Sequence, residues 1–402
     1  MKHIVFVVGN YKNGGVPMRS TNLANEFARQ GYRCTILATK GIAEDVFFDR
    51  HKNVELVSLD DYVSVYSSDP RAKKILKSRK LRFKKLKLIR RLISFIPAAD
   101  KKMALRIKEM RHGEKLAVYM ALNPDSVYIP FGISYYEQVY NASCKTGCKI
   151  IYAERNAPEL EFPADKLSKQ RMLYIVSKAD AAVLQTENEL EFFKGRQKNA
   201  AVIHNPVKVG LPEPFSGERR KIIVNFCRVA KQKNLPLLID SFDEFKKQCP
   251  EYKLEIYDNT VEKNEEEILE ELKQYVKSIN ADNCISFLPP RKDVHSVVRD
   301  CAMFVSSSDF EGLSNSMIEA MAIGLPCICT DCLGGGAREM IKNNENGILV
   351  PMKNKKALTE AMIKMATDTE FSDRCSNNAA KVREELSVCS VAQKWIEVIK
   401  NV

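Results

Sequence analysis

The sequence predicts an α/β protein built of two doubly wound parallel-sheet domains that face a cleft, and three observations carry that expectation. At 402 residues the chain is too long for one ordinary core, which favours two or three domains. Short β-branched runs alternate with helical patterns twice along it. Between the two alternations lies "HNPVKVGLPEPFSGERRK", where Pro206, Gly210, Pro212, Pro214 and Gly217 interrupt all apolar periodicity.

The first alternation opens with "HIVFVVG", a glycine loop, a helix over Arg19 to Gln30, and "RCTILAT": strand, loop, helix, strand. Leu23, Ala24, Phe27 and Ala28 give that helix a single apolar face. "SVYIPF", "KIIYAE", "AAVLQT" and "AAVIHNP" read as further strands, so an N-terminal domain is expected over 1–205 and a linker over 206–218. The second alternation runs "KIIVNFCRV", "YKLEIYD", "CISFLP", "AMFVSSS", "PCICTD" and "GILVP", most strands followed by a helix, and predicts a second domain over 219–385. Residues 386–402 form a terminal helix with the only tryptophan, Trp395, and packing back on the N-terminal domain is one placement open to it.

Composition narrows the class. Hydrophobic residues make up 45% of the chain and charged residues 28%, which fits a folded globular protein rather than a disordered or fibrous one. The first apolar run is too short for a signal-peptide core, and no run approaches the roughly 20 residues of a membrane helix. Twelve scattered cysteines without framework spacing predict a reduced, cytoplasmic setting. Cys327, Cys329 and Cys332 cluster, yet no histidine lies nearby in sequence, and no metal site is expected. The net charge of +12 calls for anionic company. Part of it sits in Arg71 to Arg91, with twelve basic residues and no acid, interleaved with Ile75, Leu76, Leu81, Phe83, Leu86, Leu88 and Ile89. Such a segment suits an anionic membrane surface, while a solvated helix or a charged loop is the plainer alternative.

Ligands of open parallel sheets sit at the carboxyl ends of strands, where three loops qualify. Gly14 and Gly15, after the first strand, can bring backbone N–H groups to an anion, or simply form a turn. "FCRVAKQKNL" sets Arg228, Lys231 and Lys233 at the mouth of the second domain, suited to a diphosphate if they are not merely solvated. The third loop, "DFEGLSNSMIE", holds Glu311 before a helix and Glu319 one turn inside it, with Ser314 or Ser316 as N-cap and Glu319 spaced from Ser316 as in a capping box. Capping alone would account for Glu319 but leaves Glu311 unexplained.

"EGLSNSMIEAMAIGLPCICTD", "GGGAREMI", "NGILVP", "FCRVAKQKN", "YAERNAP" and "IHNPV" together resemble the retaining glycosyltransferases of family 4, with the GT-B fold of two Rossmann-like domains, and the wording is similar to enzymes that extend lipid-linked bacterial surface saccharides. The resemblance implies a hexosyltransferase that moves a sugar from a nucleotide-sugar, expected to be a UDP-sugar, to a saccharide or polyprenyl-linked acceptor. It implies that Glu311 clamps sugar hydroxyls, Glu319 the ribose, and Arg228 with Lys233 the diphosphate, beside Gly14, Gly15, Gly312, Leu313, Ser314 and Asn315. Glu154, Arg155 and Asn156 match catalytic or acceptor-facing positions, with Glu154 where the family often has histidine. Asp258, Asn259 and Thr260 depart from the usual glycine-containing loop. No cofactor and no metal are expected, since fixed cations and N–H dipoles can hold the diphosphate and the chain has no Asp-x-Asp. The protein is expected at the inner face of the cell membrane, without nucleic acid as partner. A GT-B epimerase, or a non-enzymatic binder of anionic surfaces or nucleic acid, are the alternatives.

Overall fold

The computed structural model describes residues 2–12, 15–44, 48–92, 97–131, 133–154, 157–162, 164–258 and 263–402. Gly14, Arg155, Asn156, Asn259 and Thr260 lie outside them. Thirteen described strands form two wholly parallel sheets. The first comprises β1 (His3–Tyr11), β2 (Arg33–Ile42), β3 (Val54–Ser58), β4 (Ser126–Pro130), β5 (Lys149–Ala153), β6 (Ala181–Leu184) and β7 (Ala200–Val202), in the order 3-2-1-4-5-6-7. The second comprises β8 (Arg220–Cys227), β9 (Lys253–Asp258), β10 (Ile285–Leu288), β11 (Cys301–Ser306), β12 (Cys327–Asp331) and β13 (Ile348–Pro351), in the order 10-9-8-11-12-13.

In each sheet the winding reverses between two neighbours, β1 with β4 and β8 with β11, which opens a crevice at their carboxyl ends. Sequence drives this directly. Ile4 to Val8 of β1 are all inaccessible, as a strand covered on both faces requires. Helix Gly15–Arg29 turns Leu23, Ala24, Phe27 and Ala28 onto the sheet, with Phe6 stacked between Phe27 and Phe131 at 5.9 and 5.4 Å. β1 slips register between Val8 and Asn10, and at Gly9 a Cβ would stand 2.0 Å from the Tyr135 hydroxyl, so this ring lies on bare backbone at the strand's end.

No regular element interrupts 203–219, in keeping with the proline-rich reading. The C-terminal helix Val388–Lys400 crosses back onto the first half of the chain. Trp395 meets Phe131 edge-on at 6.3 Å, and Lys2 Nζ donates to the carbonyl of Ile399 at 2.9 Å. One apolar cluster therefore runs from Ile4 and Phe6 through Trp395 and Leu211 to Phe304 and Met321, tying the two sheets together. The basic segment is helical over Pro70–Leu92 and packs beside helix Pro97–Leu122. Ala72 is buried and Ile75 and Leu76 rest on the N-terminal core, whereas Leu88 is 61% exposed beside Lys87 and Arg90. Among the described residues no helix is long and apolar enough to cross a membrane. All twelve cysteines are free thiols.

Candidate active site

β11 ends at Ser306, and the chain then turns through Ser307 to Ser314 before helix Asn315–Ala322. Two hydrogen-bonded layers fix this turn. Ser307 Oγ donates to the carbonyls of Lys233 and Asn234, each at 2.9 Å, and Asp309 N–H donates to the carbonyl of Gln232 at 2.8 Å. Asn234, in the left-handed region at φ 45°, donates its amide to Asp309 at 3.0 Å. The short 3-10 turn Lys231–Lys233 after β8 is thus clamped against the loop after β11, across the point where the sheet reverses.

Glu311 and Lys233 meet there side chain to side chain, 14% and 13% exposed. Gln232 and Ser308 also donate to Glu311 Oε1, each at 3.3 Å. Burial works against the Lys233 ammonium, but the adjoining carboxylate outweighs it and holds the pKa above its ordinary value. The two residues predicted for sugar hydroxyls and for diphosphate are therefore each other's counter-charge in this structure. Arg228 stands exposed at the end of β8 and is engaged by Glu265 Oε1 at 2.9 Å, a partner the sequence does not indicate.

The capping-box expectation fails. Ser314 is the N-cap and makes no side-chain cap bond, while Glu319 turns away to His295 Nε2 at 2.8 Å. His295, held edge-on to Phe226, is a site residue that sequence reasoning misses, because nothing in "KDVHSVVRD" ties it to a carboxylate 24 positions on. With no side-chain cap bond, the first turn of helix Asn315–Ala322 leaves backbone N–H groups that an anion could take. Gly15 opens helix Gly15–Arg29 directly opposite, where a Cβ would lie 3.5 Å from Asn315 Nδ2.

Gly312, Leu313 and Ser314 are buried, and the two halves of the chain meet beside them. Leu313 N–H donates to Gln185 at 3.3 Å, Thr186 Oγ1 to the carbonyl of Gly334 at 3.0 Å, and Glu187 N–H to Glu339 at 2.7 Å. Gly334 and Gly336 press on the backbone of Glu311 and Gly312. Glu154 directly follows β5, wholly buried, and accepts the Tyr152 hydroxyl. Arg155 and Asn156, beyond it, are outside the described residues. The thiols of Cys327, Cys329 and Cys332 are buried, which pushes that of Cys332 up to about 12, and among the described residues no cluster of three metal-ligating side chains occurs. A cavity of about 390 Å³ is lined by Lys231, Leu235 and Tyr275, and Glu311 is not among its lining residues.

Residues 212–382 match the family described as glycosyl transferases group 1. Over 399 residues the chain is 22% identical to an uncharacterized glycosyltransferase of Haemophilus influenzae, covering 98% of this chain and 99% of that one. It is 28% identical over 179 residues to the N-acetylgalactosamine-N,N'-diacetylbacillosaminyl-diphospho-undecaprenol 4-alpha-N-acetylgalactosaminyltransferase of Campylobacter jejuni, covering 44% and 46% of the two chains. Among solved structures, TarM superposes with a TM-score of 0.75 at 15% identity over 99% of this chain and 98% of that chain. HepE of Anabaena, solved in complex with UDP-glucose, gives 0.70 at 16% identity over all of both.

Proposed function

We propose that the chain, whose residues 212–382 match the group 1 glycosyl transferases and whose two parallel-sheet domains have the GT-B fold, is a retaining, family 4 enzyme using a UDP-sugar on a saccharide or lipid-linked acceptor. The observation that carries the reading is the union of Glu311, Lys233 and an uncapped helix start at one sheet reversal, with Glu319 on that helix. A nucleotide-sugar presents two hydroxyl-bearing rings on either side of a diphosphate, and a carboxylate is a bidentate acceptor for vicinal hydroxyls. Glu311 takes the transferred sugar, Glu319, oriented by His295, takes the ribose, and Lys233, Arg228 and the N–H groups of Gly15 and Asn315 take the diphosphate. Gly14 belongs to the same reading.

In the reaction the sugar–phosphate bond breaks and a bond from the acceptor hydroxyl forms on the same face, while the hydroxyl proton passes to the departing diphosphate. That leaving group gains charge as it departs, and fixed cations and dipoles there lower the barrier without a metal. Arg228 must exchange Glu265 for phosphate when donor enters. The solved complex of HepE with UDP-glucose supports the choice of nucleotide, and the printed activity of the Campylobacter relative supports a lipid-linked acceptor. Residues 1–205, with Glu154, Arg155 and Asn156, serve the acceptor, 219–385 the donor, and 206–218 joins them.

The test is release of nucleoside diphosphate from a panel of UDP- and GDP-sugars, with and without saccharide acceptor, in excess EDTA. Acceptor-stimulated release that survives EDTA is expected, and Glu319→Ala and Arg228→Ala should each raise the donor KM roughly tenfold while remaining folded. Turnover that ends with EDTA and returns with magnesium would point to another catalytic class, and release blind to every acceptor would favour an epimerase-like reaction.

The basic helix Pro70–Leu92 extends the proposal to the inner membrane surface. Lys73, Lys74, Lys77 and Lys87 are exposed, and Leu88 projects among the last of these cations. Each basic residue near an anionic bilayer contributes about 1 kcal/mol, so replacing those four lysines by glutamine should weaken binding to anionic vesicles at least roughly tenfold. Co-sedimentation at low and high salt reads this. Binding indifferent to lipid charge, or unchanged by the four substitutions, would sink the membrane role.

A further inference from the structure

The turn that follows the glycine loop carries a cation that none of these roles uses. Arg19 lies one turn after Gly15 on helix Gly15–Arg29, hence on the same face. Across the cleft, Glu319 lies one turn after Asn315 on helix Asn315–Ala322, again on the same face. Gly15 abuts Asn315, and Arg19 feels the charge of Glu319, so the two helix starts oppose each other in step. No ion pair joins Arg19 to Glu319, and Arg19 makes no hydrogen bond among the described residues. Its Nε and Asn315 Oδ1 are both buried without a partner.

Unpaired buried polar groups are costly, and a charged one more so. Two such atoms on helix starts that abut each other, one from each half of the chain, fit a ligand that satisfies both. The turn beneath Arg19 is itself held firmly. Ser20 Oγ and Thr21 Oγ1 donate to the carbonyl of Pro17 at 2.9 and 2.7 Å, and the Tyr11 hydroxyl sits 2.7 Å from Thr21 Oγ1. The guanidinium is therefore presented from a rigid platform rather than swinging from a loose surface turn. Burial brings its pKa down to about 10 and Glu319 pulls the other way, so it is a full cation at neutral pH.

We propose that Arg19 is the N-terminal half's own contact to the donor diphosphate, a phosphate-reading residue on the helix that starts beside Asn315. The proposal rests on the nucleotide-sugar reading above and deepens it. Glu319 already supplies a hydroxyl acceptor at this point, whereas a guanidinium beside an uncapped helix start matches an anion, which its planar fork can grip at two oxygens. Asn315 Oδ1 completes the set as an acceptor for the guanidinium or for a ligand hydroxyl. A diphosphate held at once by Arg228, Lys233 and Arg19 is gripped from both halves of the chain, while a nucleoside without phosphates leaves Arg19 untouched.

Isothermal titration of uridine, UMP and UDP into the parent, Arg19→Met and Arg19→Lys chains tests this, with the guanosine series substituted if that is the one the parent binds. Arg19→Met should weaken UDP roughly tenfold or more and leave uridine unchanged, with Arg19→Lys between the two. Ligand-free Arg19→Met should melt no lower than the parent, because it removes a cation whose Nε is buried without a partner. Equal weakening of uridine and UDP would mean that Arg19 acts only through Glu319, and unchanged UDP affinity would mean that it makes no contact; either overturns the proposal. A variant that melts well below the parent does the same, since it would give Arg19 a purely structural role. A parent that binds neither nucleotide series sinks the nucleotide-sugar reading itself, an outcome distinct from all of these.

Discussion

Glu311→Gln is expected to lower turnover by roughly 10²–10³-fold with a much smaller change in donor KM, because in the proposed reading the group it removes holds the sugar whose bond breaks. Glutamine keeps the length and one acceptor oxygen, so Gln232 and Ser308 retain a partner. What disappears is the negative charge beside Lys233. That ammonium is only 13% exposed and loses its counter-charge, so the ligand-free variant should also melt lower, by an amount corresponding to roughly 3 kcal/mol. The two effects separate in a second chain. Adding Lys233→Met to Glu311→Gln removes the stranded cation and should restore much of the melting temperature without restoring turnover. Single-turnover assays and thermal melts on the parent and both variants read the result. Parental turnover in Glu311→Gln would remove Glu311 from the chemistry, and recovery of activity in the double variant would remove both Glu311 and Lys233 from it and leave the single substitution acting through stability alone.

What the sequence made legible follows from distance along the chain. The strand–helix alternation, the proline-rich junction and the Glu311–Glu319 spacing are local patterns, and the structure keeps them. The partners of those carboxylates are not local. Lys233 reaches Glu311 across 78 positions and Arg228 reaches Glu265 across 37, because parallel strands brought side by side by crossover helices juxtapose loops far apart in sequence. Ser316 and Glu319 are spaced for a capping box, yet His295, brought in by the helix after β10, competes for the same carboxylate and wins. Strand β3, five residues long, lies beneath what short apolar runs signal, and it is fixed by pairing with β2 rather than by its own pattern. Arg19 is invisible for another reason. It sits on the polar side of an amphipathic helix, where sequence alone reads a cation as solvated, and only the fold brings it within reach of the charge of Glu319.

Gly336→Ala is the substitution expected to damage the site most for its size. Gly336 begins helix Gly336–Met340 directly under the loop that carries Glu311, and a Cβ there would stand 1.9 Å from the Gly312 carbonyl oxygen, 2.7 Å from its carbon and 2.8 Å from Leu313 Cα. All three are backbone atoms, which cannot swing aside as a side chain can, so the loop itself has to move. Overpacking of this kind costs roughly 3 kcal/mol. A shift of the order of an ångström in a positioned group can cost about a hundredfold in rate, and Glu311, one residue before the clash, would take that shift. Gly335→Ala is the control. Its φ of 75° makes a side chain strained, but the Cβ would meet the amide end of Asn188, at 2.5 Å from Nδ2, which can rotate away. Gly335→Ala should therefore keep most of its turnover and lose about 1–2 kcal/mol of stability, whereas Gly336→Ala should fall at least a hundredfold in turnover and melt lower still. Donor turnover and thermal melts on both variants decide it, and a Gly336→Ala enzyme as active as Gly335→Ala would mean that the loop carrying Glu311 is not held by the glycine contact beneath it.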